Sequence, residues 1–178
     1  RQKRVRDRLR RVRLERDHYR LAAKVDNLTG LLNRGSIDAL LADAMTGDGT
    51  FAVLFIDVDH FKSINDRWGH DVGDEVLRRV AKCIEKSARG NDHCGRYGGE
   101  EFVVLVSGAD EKIAAAVAER HRTNIENLVV PTLKRPVTVS VGVAVFDPQR
   151  PDLTRDALYR RADAALYHAK ESGRNLVV

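Results

Sequence analysis

Apolar positions recur along this chain with two different periods, and the switches between them mark out its elements. In the first 25 residues Val5, Leu9, Val12, Arg16, Tyr19 and Ala23 alternate four and three apart, the register of a coiled-coil seam interrupted by Arg16. This stretch has no Gly or Pro, and Arg, Leu and Ala favour helix, so it predicts one N-terminal helix suited to dimerisation. Ser36 to Met45 is amphipathic at helical spacing. Thr50 to Asp57 is an unbroken apolar run, as expected of a strand covered on both faces. The polar stretch from His60 to Gly73 predicts a short helix or loop. Asp74 then reads as the cap of a helix in which Val76, Leu77, Val80, Ala81 and Ile84 line one face. His93 to Tyr97 and Phe102 to Val106 flank Gly98-Gly99, a hairpin signal because glycine accepts the positive φ of such turns.

Lys112 to Leu128 predicts a helix, and Pro136 to Phe146 alternates as a strand should. Leu153 to Lys170 predicts a helix with Ala157, Leu158, Ala162, Ala165, Leu166 and Ala169 inward, stopped by Gly173. Leu176 to Val178 can add a last short strand. This order contains the β-α-β-β-α-β arrangement of a ferredoxin-like sheet. The expected fold is α/β (α+β): a palm-type central sheet of about five strands surrounded by helices over residues 26–178, preceded by the helix of residues 1–25.

At 178 residues, 43% hydrophobic and 32% charged, the chain suits one domain with an appendage. No apolar run approaches the ~20 residues that span a bilayer, and the N-terminus is charged with no apolar stretch behind it. The expectation is a cytoplasmic fragment, or the cytoplasmic part of an inner-membrane protein. Because it starts at Arg1, an upstream sensory or membrane domain is expected to be missing. Eleven of the 31 Lys and Arg residues but only three acids fall in residues 1–25, a net of +8, so the remainder carries −3. The basic character belongs to the leader, and the acidic remainder argues against nucleic acid as a partner. Cys83 and Cys94 form no CxxC, no His lies at zinc spacing, and no HExxH occurs, which leaves two inert thiols.

Candidate chemistry gathers at two predicted strand ends. Asp57 and Asp59 close the apolar strand, and Glu100-Glu101 follow the Gly98-Gly99 turn. In a ferredoxin-like sheet the first strand and the hairpin are neighbours, so these acids are expected to converge. Grouped carboxylates are costly unless a cation neutralises them. A hard divalent ion with oxygen ligands, such as Mg²⁺, is the natural partner, and two such ions suit phosphoryl transfer.

Gly98-Gly99-Glu100-Glu101-Phe102 resembles the signature of the GGDEF family of diguanylate cyclases, in its GGEEF form. Asp26-Asn27-Leu28-Thr29-Gly30-Leu31 with Asn33-Arg34 resembles the family's DxLTGLxNR motif. Asp57-Val58-Asp59-His60-Phe61-Lys62, with Asn65-Asp66, Gly69-His70 and Gly73-Asp74, resembles its DxDxFKxxND…GHxxGD block. Val139 to Gly142 carries the SxG strand. Ala162-Asp163, Ala165 to Tyr167, Lys170 and Gly173-Arg174-Asn175 form the closing block.

The resemblance implies a bacterial signalling enzyme that joins two GTP into cyclic di-GMP and releases two pyrophosphates. It implies metal ligands in Asp57, the Val58 carbonyl, Glu100 and Glu101, and two Mg²⁺ (or Mn²⁺) per GTP half-site. Glu100 is the implied base for the attacking 3′-hydroxyl. Asn65 and Asp74 are the implied readers of guanine, with His70, Phe61 and Leu77 lining the pocket. Lys62, Lys170 and Arg174 suit the triphosphate, whereas Arg96 and Tyr97 read as structural. Since one half-site holds one GTP, the active species is expected to be a two-fold homodimer. Arg89-Gly90-Asn91-Asp92 is an RxxD six residues ahead of Gly98, matching the family's product-binding inhibitory site, and Arg120 resembles its second arginine.

Overall fold

The structure is a computed structural model that describes residues 24–150 and 153–178. The helix and seam expected over residues 1–25 fall almost wholly outside the described residues. Four strands form one antiparallel sheet: β1 Phe51–Val58, β2 His93–Gly98, β3 Glu101–Ser107 and β4 Val139–Phe146, in the order β2-β3-β1-β4. Among the described residues five helices accompany them: α1 Arg34–Ala44, α2 Phe61–Trp68, α3 His70–Ser87, α4 Glu111–Glu126 and α5 Arg155–Glu171. The strand order is the ferredoxin-like one, with crossovers through α2–α3 and through α4.

The apolar run explains the layering. All eight residues of β1 are buried. Ala52, Leu54, Ile56 and Val58 face a cluster with Val76, Val80 and Ile84 of α3 and Val117 and Ile125 of α4. Phe51, Val53 and Phe55 face the opposite cluster, with Ile37 and Leu41 of α1 and Leu158 and Leu166 of α5. Successive strand residues point to opposite faces, so β1 is the floor of both cores. Helix α5 reaches β4 closely enough that a Cβ on Gly142 would run into the Ala162 carbonyl and lie 2.8 Å from the Leu166 Cα. That approach is what the glycine of the SxG strand permits.

Several expectations are adjusted. The central sheet has four strands, and Leu176–Val178 adds only a parallel bridge, Val177 to Val141, with Val143 N–H on the Val178 carbonyl at 2.8 Å. Asp74 is not a cap: α3 starts one turn earlier, at His70 after Gly69, whose φ of 86° and ψ of 164° turn the chain sharply out of α2. The polar 60–73 stretch is helical on both sides of that turn. The strand expected from Pro136 begins only at Val139. Helix α4 is capped by Asp110, whose side chain accepts from Ile113 N–H, and α5 by Thr154, which accepts from Ala157 N–H. Among the described residues no helix is long and apolar enough to cross a membrane.

Candidate functional site

The glycine hairpin is held from behind. Asp26 accepts from both the N–H (2.9 Å) and hydroxyl (2.7 Å) of Thr29, turning the DxLT segment in on itself. Leu32 then pairs with β2, its N–H on the Cys94 carbonyl and its carbonyl receiving Arg96 N–H at 2.8 Å. Arg96 spans the gap, donating to both Asp26 oxygens at 3.2 Å and to the Gly99 carbonyl from Nε (2.9 Å) and Nη2 (2.8 Å). Burial would raise the Asp26 pKa, but the hydrogen bonds from Thr29 and Arg96 hold it below the usual carboxylate range. Tyr97 packs edge-on against Phe55 at 5.2 Å, beneath the Arg34 guanidinium. Both residues are structural, as the sequence indicated.

This bracing fixes Gly99, at φ 47°, and with it the acids that follow. Glu101 stands directly across from Asp57 in the β1–β3 register. The Glu100 carbonyl receives Val58 N–H at 3.2 Å. Asp57 is buried, and the Lys170 ammonium reaches its Oδ2 at 2.9 Å. Burial pushes Asp57 up to about 6 despite Lys170, with Glu100 and Glu101 adding repulsion. Glu101 is also raised, first by burial. The edge therefore carries more negative charge than Lys170 alone relieves.

That chemistry fits a hard divalent cation: oxygen donors only, closely set and under-neutralised. Among the described residues no three His, Cys, Asp or Glu groups form a ready cage. This is compatible with an ion that takes much of its shell from substrate phosphate and water.

Asp59 departs from the expected convergence. It is buried and satisfied, accepting from the Ser140 hydroxyl (2.7 Å), the Thr138 hydroxyl (2.8 Å) and Asn175 N–H (3.0 Å). It ties the end of β1 to β4 and to the chain after α5, so its carboxylate is engaged in structure.

The α2–α3 pair forms a second part of the site. Asn65 Oδ1 is buried with no hydrogen-bond partner among the described residues, which marks an acceptor open to a ligand. It lies over Gly73, where a Cβ would collide with it. Asp74, the next residue, is half exposed, and among the described residues Arg78 approaches it at 4.0 Å. Phe61 and Leu77 are core residues at the base of the pair, whereas Lys62 and His70 are exposed. Arg174 is exposed just beyond α5.

The RxxD segment folds into a turn away from the strand-end acids. Asp92 Oδ2 receives Arg89 N–H at 2.8 Å, and Asp92 N–H returns to the Arg89 carbonyl at 2.9 Å. Arg120 joins this neighbourhood from α4, with Nη2 on the Ser87 carbonyl at 2.8 Å and its buried Nε unpaired among the described residues. Beside the turn a groove of about 440 Å³ is lined by residues including Glu85, Arg89, Asp92 and Cys94. Cys94 is pushed up to about 12 by burial, an inert thiol. Two features escaped the sequence: buried His121, and the Arg122–Glu126–Asn175 network. Spacing does not signal the His121 burial, and Asn175 joins the Arg122–Glu126 pair from a distant part of the chain, 53 residues from Arg122.

The sequence model described as "Diguanylate cyclase, GGDEF domain" matches residues 23–176. The chain belongs to the GGDEF family. It is 42% identical over 159 residues to the probable diguanylate cyclase DgcT of Escherichia coli, covering 86% of this chain and 35% of that protein. To the response regulator PleD of Caulobacter vibrioides it is 40% identical over 168 residues, covering 91% of this chain and 37% of PleD. The GGDEF chain thus spans about a third of the length of these curated relatives. Among solved structures, the coiled coil and GGDEF domain of DgcB from Caulobacter crescentus in complex with c-di-GMP matches with a TM-score of 0.88 and 33% identity. That match covers 98% of this chain and 94% of the solved coiled-coil and GGDEF chain.

Proposed function

We propose that this GGDEF domain is a diguanylate cyclase that condenses two GTP into cyclic di-GMP and releases two pyrophosphates. The observation that carries the reading is the Asp57–Glu101 pair at adjoining strand ends, under-neutralised by Lys170 and braced through Arg96. In each of two symmetric steps a 3′-hydroxyl oxygen of one GTP bonds to the α-phosphorus of the other. The bond from that phosphorus to pyrophosphate breaks, and the hydroxyl proton leaves to a base. Glu100, beside Asp57 on the braced hairpin, is that base.

Asp57, the Val58 carbonyl, Glu100 and Glu101 would hold two Mg²⁺ or Mn²⁺ per half-site. These ions supply charge neutralisation for the phosphates and acidify the attacking hydroxyl. Lys62, Lys170 and Arg174 add positive charge for the triphosphate, which carries more anionic oxygens than two metals cover. Asn65 and Asp74 accept hydrogen bonds from guanine, whose ring N–H and exocyclic amine are donors, and adenine presents an acceptor at the ring position instead. His70, Phe61 and Leu77 frame that pocket.

Each domain supplies one half-site, so the active form is a homodimer, aligned by the N-terminal helix and set by an upstream domain on the cytoplasmic side. Arg89, Asp92 and Arg120 bind the product and restrain the enzyme, with arginines on phosphate or guanine and the aspartate on guanine.

The test is incubation of the protein with GTP and Mg²⁺, followed by chromatography for cyclic di-GMP, with Glu100→Ala as the control. Product from the parent protein alone is expected. No product, even with the leader replaced by a strong parallel dimeriser, would sink the cyclase reading and leave a nucleotide-binding module.

A further inference from the structure

Past the Ser172 cap of α5, three consecutive residues, Gly173, Arg174 and Asn175, have positive φ. Gly173, at φ 116°, takes the left-handed position past the helix, and Arg174 N–H caps the Ala169 carbonyl at 3.0 Å. Arg174 and Asn175 then both have positive φ, 65° and 49°. A side-chain-bearing residue is disfavoured there, and two in succession persist only when surrounding structure dictates them.

Here the surroundings converge on Asn175. Its N–H donates to Asp59 Oδ2 at 3.0 Å, 116 residues away in the chain. Its Oδ1 receives Arg122 Nη1 at 2.7 Å, and its Nδ2 donates to Glu126 Oε1 at 2.8 Å. Arg122 is itself fixed, donating to Glu126 Oε2 at 2.7 Å and to Glu119 Oε1 at 2.6 Å. Lys170, four residues before Arg174, is tied to Asp57, and Asn175, immediately after it, is tied to Asp59. Arg174 therefore lies between two anchors that both end on the acidic tip of β1.

We propose that Asn175 is a positioning residue for the nucleotide triphosphate: gripped by Asp59, Arg122 and Glu126, it locks the left-handed turn that presents Arg174 to phosphate. This rests on the proposed function above, in which Arg174 serves the triphosphate. Asn175 itself touches no substrate, so its effect must pass through Arg174. Replacing it by alanine removes both side-chain grips and leaves a residue less tolerant of positive φ.

The experiment measures, by calorimetry on the full chain, binding of a non-hydrolysable GTP analogue and of GMP. The proteins are the parent, Asn175→Ala, Arg174→Ala and the double variant, with thermal melts alongside. Asn175→Ala is expected to weaken the GTP analogue on the order of tenfold, as loss of one charge-assisted contact would. GMP binding should stay within about twofold, because GMP lacks the distal phosphates that Arg174 serves. In the Arg174→Ala background the Asn175 substitution should add nothing, which a merely structural role would not produce. Arg122→Gln, which loosens the grip from α4, should repeat the pattern if Asn175→Ala folds poorly.

Additive losses, equal losses for GMP, or unchanged analogue affinity in both variants would overturn the proposal. The cyclase reading fails separately: a parent protein that binds the analogue, shows this pattern and yet makes no cyclic di-GMP leaves the positioning role standing.

Discussion

Gly73→Ala offers a clean separation of nucleotide recognition from stability. Gly73 sits inside α3 with ordinary helical φ, so the glycine is there for space. A Cβ at this position would overlap Asn65 Oδ1 and stand 3.0 Å from Asn65 Cγ and 3.2 Å from Phe61 Cζ. The obstructing atom is the tip of a rotatable side chain, so Asn65 swings away and the backbone stays. Alanine in a helix interior is favoured over glycine by about 1 kcal/mol, which offsets the modest strain against Phe61. The melting temperature should therefore hardly move. Affinity should not survive as well, because the acceptor offered to guanine is lost. A hydrogen bond to a buried, otherwise unpartnered amide is worth about 1–3 kcal/mol, a weakening on the order of 10- to 100-fold. Calorimetric titration with a non-hydrolysable GTP analogue measures this, with Asn65→Ala as comparison and the double variant showing no further loss. Unchanged affinity in Gly73→Ala would refute the role given to Asn65. A melting temperature many degrees lower would refute the claim that only a side-chain tip is in the way.

His121→Leu should flatten the acid limb of the stability curve. Burial, helped by Arg120 and opposed by Asp92, lowers His121 from 6.5 to about 4, so between those values the unfolded chain binds the extra proton and stability falls as pH falls. The parent should lose about 2–3 kcal/mol more than the variant between pH 7.5 and 4.5 in urea denaturation, and parallel curves would contradict a buried neutral imidazole. Gly142→Ala meets the Ala162 and Leu166 backbone and no flexible tip, so it should cost about 3 kcal/mol and lower the melting temperature by roughly 10 °C. An undiminished melting temperature would mean that α5 can lift off β4 freely.

How legible each part was depended on the range of the interactions involved. The run from Phe51 to Val58 announced its burial because both faces of β1 are covered, and one residue after another had to be apolar. The nearness of Asp57 to the hairpin acids was legible because the expected strand order sets β1 beside β3, and the register then pairs Asp57 with Glu101. The start of α3 was misjudged because Asp74 resembles a cap, whereas the chain uses the unusual geometry of Gly69. Asp59 was grouped with the metal-facing acids because proximity in sequence says nothing of the Thr138 and Ser140 hydroxyls that claim it. The left-handed pair at Arg174 and Asn175 was illegible for the same reason: Asn175 is held by Asp59, just past β1, and by Arg122 of α4.

The two ends of the proposed nucleotide site are built on different physical principles, which bears on how each tolerates change. The guanine end is local: Asn65, Gly73 and Asp74 belong to one helix pair joined at Gly69, and their side chains are lightly held. Substitutions there can retune recognition while leaving the cores intact, because among the described residues Asn65 Oδ1 has no hydrogen-bond partner and Asp74 meets Arg78 only at 4.0 Å. The phosphate end is global: Lys170 and Asn175 are tied to Asp57 and Asp59, and Asp59 also holds β4 to β1. A change at Asp59 would remove the side-chain ties to Thr138 and Ser140 and the grip on the Arg174 turn together. Binding and stability are thus separable at one end of the site and coupled at the other. Variation in base preference is accordingly expected at the α2–α3 pair, whereas the geometry of phosphate binding is tied to the integrity of the fold.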